Sequence, residues 1–123
     1  MGLDMYLYRK PRKNEDIKDD IQLVYWRKCN AVHDYFVGDA DEDNQTEFVV
    51  TQEDIADLII KCAKVLNNKA LAEEILPTRE GFFFGTYEYD DWYFEMLTDT
   101  IKDCAEALGD WKEYDEVYYY AWY

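Results

Sequence analysis

The chain has one histidine, His33, to offer acid–base chemistry, and three cysteines, Cys29, Cys62 and Cys104, to offer a thiol nucleophile. Imidazole is the side chain that most often moves protons near neutral pH. Cys29 precedes His33 by four residues, a spacing that puts two side chains on one side of a helix and brings a thiol–imidazole pair within geometric reach. The same residues fall on two stripes of helical period, Tyr25-Cys29-Val32-Phe36 and Trp26-Asn30-His33-Val37. Such stripes favour a packed flank holding a hydrogen-bonded histidine over a dyad. Serine is absent from the sequence, which removes serine nucleophiles. No catalytic residue is assigned, and the chain reads as non-enzymatic.

Ligand sites for ions are equally sparse. Asp39, Asp41 and Asp43 alternate like the opening of a calcium loop, but that loop needs glycine at its sixth position and a glutamate at its twelfth. Here these positions hold Asn44 and Val50. The cysteines are odd in number and more than thirty residues apart, with no CxxC pair, so zinc is not expected and the thiols read as reduced and structural. Gly81-Phe82-Phe83-Phe84-Gly85 contains no lysine to meet a phosphate. No metal or cofactor is expected.

Aromatic and acidic residues supply the remaining possibilities. Gly81 to Leu97 holds eight aromatic rings in seventeen residues. They read first as core. Alternatively, Phe82, Phe83 and Phe84 join Trp26, Asn30 and His33 in a small-ligand pocket, apolar with a few polar anchors. The 28 acidic and 13 basic residues leave a net charge of −15, which repels nucleic acid and anionic membranes and attracts basic proteins. Asp91, Glu95, Asp99 and Asp103 recur every four residues, so on a helix they form a row with steps of about 6 Å. Glu88 and Glu106 fall in the same arc, opposite an expected core stripe of Phe94, Leu97, Ile101, Cys104 and Leu108. The row's spacing is close to that of phosphates along a DNA strand. The partner it implies is the basic surface of a nucleic-acid-binding protein, met by DNA mimicry, with no direct binding of nucleic acid or membrane.

These residues need a scaffold. Gly2–Tyr8 alternates as a strand, closed by the basic cluster Arg9–Lys13 with Pro11. A first helix is expected from between Glu15 and Asp20 to Val37, stopped by Gly38. Glu47–Thr51 reads as a short strand, and Thr51 as the N-cap of a second helix with Ile55, Leu58, Ile59, Cys62 and Leu66 inward. Ala70–Leu76 reads as a short helix ended by Pro77. Asp90 caps the third main helix, with Gly109 placed as its C′ stop, and Glu116–Tyr123 reads as a strand. The expected architecture is one α+β domain over residues 1–123. A small antiparallel sheet of about three strands is covered on one face by three main helices, and the two terminal strands pair. Tyr118–Tyr123, taken as an edge strand, offers a route to a homodimer. No run approaches the roughly 18 apolar residues of a membrane span, and the N-terminus lacks a secretory pattern.

Met1-Gly-Leu-Asp-Met-Tyr-Leu-Tyr8, Tyr25-Trp-Arg-Lys-Cys-Asn-Ala-Val-His33 with Phe36-Val37, Glu73-Glu-Ile-Leu-Pro-Thr78, and Gly81-Phe-Phe-Phe-Gly85 with Tyr89-Asp90 together resemble a family of small, acidic, uncharacterised proteins encoded by phages and prophages. The resemblance touches most of the chain, with a shorter segment, Arg9 to Val24, between the first strand and the Tyr-Trp pair. It transfers no catalytic residue. What it implies is a setting: an accessory protein in the cytoplasm of a bacterial host, of the kind that inhibits CRISPR nucleases or restriction enzymes.

Overall fold

A computed structural model describes residues 2–38, 47–78 and 88–123. Strand β1 (Asp4–Arg9) alternates strictly, burying Met5, Leu7 and Arg9 and turning Asp4, Tyr6 and Tyr8 the other way. It is followed by β2 (Ile21–Arg27), α1 (Asn30–Val37), β3 (Glu47–Val50) and α2 (Gln52–Asn67). A 3-10 turn (Lys69–Leu71) leads into the short α3 (Ala72–Ile75), and α4 (Asp91–Asp110) and β4 (Val117–Trp122) complete the order. The strands form one antiparallel sheet in the order β2-β1-β4-β3. The architecture is α+β, with four strands among the described residues where about three were expected. The terminal strands pair as expected, Asp4 opposite Trp122 and Arg9 opposite Val117.

The extra strand corrects the reading of the first helix. Residues 21–27 are extended and pair with β1, and only Asn30–Val37 is helical. IQLVYWR is rich in β-branched and aromatic residues, which suit a pleated surface. Tyr25 is 42 % exposed and its neighbour Trp26 only 2 %. A strand requires that opposition of adjacent side chains, and a helical stripe does not. The apparent stripe from Tyr25 to Phe36 runs across a strand–helix junction, where Lys28 takes positive φ (55°). A second correction concerns β4, which lies between β1 and β3. It is not an edge, so dimerisation through its backbone is not available. Among the described residues the sheet's edges are β2 and β3.

Helix starts follow local chemistry. Thr51 Oγ1 accepts from the Asp54 amide (3.1 Å) and Asp54 Oδ2 accepts from the Thr51 amide (2.9 Å), a reciprocal capping box with aspartate in the usual Glu/Gln place. At α4, Asp90 Oδ1 accepts from the Tyr93 amide at 3.0 Å. Gly109 does not stop this helix; it lies within it, and Trp111 is the C-cap.

The core sits between one sheet face and the helices. Met5, Leu7, Val24, Trp26, Val117, Tyr119 and Ala121 line the sheet side, and α2 and α4, packed together, supply the other. Trp26 Nε1 donates to Thr100 Oγ1 (2.9 Å), which in turn donates to the Met96 carbonyl (2.7 Å), so both buried polar groups are satisfied. Two residues of the basic cluster, Arg9 and Arg12, are spent on internal pairs at the end of the sheet. Arg9 grips Glu15 through two contacts (2.7 and 3.2 Å), and Arg12 grips the buried Asp115 bidentately (2.8 Å twice).

Candidate functional site

The acidic row lies on α4, and the phase of that helix decides which carboxylates reach water. The buried positions are Tyr93, Leu97, Thr100, Cys104 and Ala107, while Phe94, Ile101 and Leu108 are only half-buried. The inward stripe is therefore rotated by about 60° from the expected one. The sequence stripe followed the largest side chains, whereas the inward line of this helix includes small ones, Thr100, Cys104 and Ala107.

That phase still leaves Asp91, Glu95, Asp99 and Glu106 exposed. Among the described residues, no lysine or arginine lies within ion-pair distance of these four or of Asp103. Each i,i+4 step also advances by about 40° around a helix, so the row winds. By Asp103 it has turned far enough to be half-buried. There Asp99 and Asp103 line a cleft of about 410 Å³ with Arg27 and Lys28 of the β2 end and the side chains of Trp92 and Met96. Burial first, then the charges of Asp99 and Glu106, hold the Asp103 carboxyl above its ordinary value, with Lys102 acting in the opposite sense. Glu88, ahead of the helix, is exposed but engaged with another group.

The thiol–imidazole pair is arranged for packing. Cys29 is the N-cap residue of α1 and is buried; burial pushes its thiol up to about 12. His33 is fully buried, with Nδ1 2.6 Å from the Tyr119 hydroxyl and its ring edge-on to Tyr123. Cys62 and Cys104 are likewise buried and free, and burial raises both thiols. A thiol held protonated is a poor nucleophile.

Of the proposed pocket residues, Trp26, Asn30 and His33 are 2 %, 3 % and 0 % exposed. They are core residues in their described surroundings, and Trp26 borders a cleft. Phe82, Phe83 and Phe84, and the Asp39–Asp43 loop, lie outside the described residues. Among the described residues no cluster of three His, Cys, Asp or Glu could hold a metal ion, and no helix is long and apolar enough to cross a membrane.

One surface was not singled out from the sequence. On the sheet face turned away from the core, Tyr6 stacks on Tyr8 (ring centroids 5.3 Å apart) and touches Tyr25 (5.3 Å) and Tyr120 (6.1 Å), while Tyr8 touches Tyr118 (5.6 Å). Its sequence signal was the pair Tyr6 and Tyr8, two apart in β1, and again Tyr118 and Tyr120 in β4, which the pleat places on one side. Searches against protein-family models, curated proteins and solved structures found no match for this chain.

Proposed function

We propose that this chain is a non-enzymatic accessory protein of phage or prophage origin. Acting in the cytoplasm of a bacterial host, it binds a basic protein surface and competes with nucleic acid for it. The single observation that carries this reading is the exposed, unneutralised set Asp91, Glu95, Asp99 and Glu106 on α4, in a chain of net charge −15. Carboxylates four apart on a helix repel one another and cost a few tenths of a kcal/mol per pair (about 0.2–0.5). A groove of lysines and arginines relieves that repulsion and supplies fast, steered association. The anti-CRISPR or anti-restriction setting follows from the sequence resemblance and from this charge.

The test is the double reversal Glu95→Lys and Asp99→Lys. Both side chains are exposed, so the fold, read by circular dichroism and melting, is expected to survive. Capture of a host nucleic-acid-binding protein is expected to vanish. Capture by the unaltered chain is expected to weaken steeply with salt and to be displaced by double-stranded DNA. Unchanged affinity in the reversed variant overturns the proposal.

A further inference from the structure

The sheet has a second face, and its chemistry differs from that of α4. Cross-strand register sets its side chains in rows: Tyr25, Tyr6, Tyr120 and Glu47 in one, Gln22, Tyr8, Tyr118 and Val49 in the next, and Arg27, Asp4 and Trp122 beyond. The helix side chains that enter the core meet the opposite face, as His33 and Phe36 do at Tyr119 and Thr100 does at Trp26. Tyr25, Trp122 and Val49 remain 42 %, 49 % and 87 % exposed. Among the described residues the hydroxyls of Tyr6, Tyr8 and Tyr120 have no protein hydrogen-bond partner, whereas Tyr25 donates to Asp4 Oδ1 (2.6 Å) and Tyr118 to Asp20. The hydrogen bond to Asp4 holds the Tyr25 phenol above its ordinary value, and burial followed by the bond to Asp20 does the same for Tyr118. Tyr118 is itself buried, so the rings open to a ligand are Tyr25 and the half-buried Tyr6, Tyr8 and Tyr120.

We propose that this tyrosine face is a docking surface for an arginine-bearing segment of a basic protein. Charge complementarity selects that occupant. The rings are rimmed by the carboxylates of Asp4, Asp20 and Glu47, and aromatic faces attract cations. Guanidinium is preferred to ammonium because it is planar, less strongly hydrated and able to stack. One guanidinium already sits at the margin: Arg27 stands opposite Asp4 in register, with Nη1 3.9 Å from Asp4 Oδ1, and perturbs the Tyr25 phenol. A second copy of the chain would bring another −15 charge to the face, and a nucleic acid would bring its phosphates to the same carboxylates. The face meets α4 at Tyr25, which shares a cleft with Asp99 and Asp103, while Tyr6, Tyr8, Tyr120 and Trp122 lie outside that cleft.

The experiment titrates the isotope-labelled full chain with two synthetic peptides, one of alternating arginine and glycine and one of alternating lysine and glycine, at about 150 mM salt. Ring resonances of Tyr6, Tyr8, Tyr25, Tyr120 and Trp122 are followed. The arginine peptide is expected to move them and to bind about fivefold tighter than the lysine peptide. Tyr25→Leu with Trp122→Leu, both at exposed positions, is expected to weaken the arginine peptide about fivefold to tenfold. The Glu95→Lys, Asp99→Lys variant is expected to retain the shifts of Tyr6, Tyr8, Tyr120 and Trp122, which lie outside the cleft Asp99 shares with Tyr25, so failure of the α4 reading and failure of this one are separable at those rings. Unmoved rings, equal affinity for the two peptides, or equal shifts from single-stranded oligothymidylate would each overturn the proposal. Ring broadening with protein concentration alone would give the face to a second copy and overturn it as well.

Discussion

His33 and Cys29 show how burial decides what a reactive side chain does. The histidine hydrogen-bonds Tyr119 in the core, and the thiol is held near 12 by its loss of water. Iodoacetamide should therefore label Cys29 in the native protein no faster than the chain opens, and labelling should accelerate only in denaturant. Rapid native labelling would mean the thiol is accessible and ionised. The ionic residues at the sheet end behave in the opposite way, because their charged forms are the stabilised ones. Hydrogen bonding by Arg9 and the Arg12 amide lowers the Glu15 carboxyl from 4.5 to about 2, and Arg12 lowers that of Asp115. A carboxyl depressed in the fold contributes stability that is fully present above its unfolded value and is lost as pH falls through its folded value. The urea midpoint should accordingly drop between about pH 4.5 and about pH 2, and Glu15→Gln should remove part of that drop. Arg12→Ala strands the buried Asp115 charge and should lower Tm by roughly 5 °C or more at pH 7. In the core, Thr100→Val leaves the Trp26 indole N–H without its acceptor, an expected loss of about 1–3 kcal/mol in urea unfolding.

Helix α4 and strand β2 show what patterns along the chain can and cannot specify. The alternation in β1, the aromatic β4, the Thr51 and Asp90 caps and the existence of α2 and α4 were all readable from residues 4–9, 117–122, 51–54 and 90, because each is a local signal. Strand β2 was not, because Tyr25, Cys29, Val32 and Phe36 satisfy a helical period although a junction at Lys28 divides them. Only pairing with β1 resolves such an ambiguity. The rotation of α4 was hidden for a related reason. Hydrophobic size pointed to Phe94 and Leu108, while packing put Thr100 and Ala107 inside. The acidic row survived the rotation at Asp91, Glu95 and Asp99 but not at Asp103, which ends half-buried beside its neighbours' charges. Its raised carboxyl implies a penalty once it ionises: the stability it contributes is present below its unfolded value and lost as pH rises through its folded value. Asp103→Asn should therefore stabilise the chain at pH 7, by at most about 0.5 kcal/mol, and the gain should disappear near pH 3. A destabilising Asp103→Asn would indicate that Lys102 or the Arg27–Lys28 wall of the cleft outweighs the like charges.

Taken over the entire chain, 28 acids face 13 bases, and two of those bases, Arg9 and Arg12, are committed to Glu15 and Asp115. Self-repulsion then opposes the compact state, while the same uncompensated charge supports the proposed attraction to a basic partner. Salt acts on both at once, and with opposite consequences. At about 150 mM the screening length is near 8 Å, longer than a single step between neighbouring acids on α4, so much of the repulsion persists under physiological conditions. Raising salt from about 50 mM to about 500 mM should increase Tm by a few degrees as repulsion is screened. It should weaken capture of the basic partner over the same range. The Glu95→Lys, Asp99→Lys variant carries a net charge four units less negative, since each reversal adds two to −15, and its Tm should respond less to salt. A Tm that falls with salt in the unaltered chain would mean that the Arg9–Glu15 and Arg12–Asp115 pairs, not the surplus of acids, dominate its electrostatics. The repulsion invoked for α4 would then be too small to favour a partner.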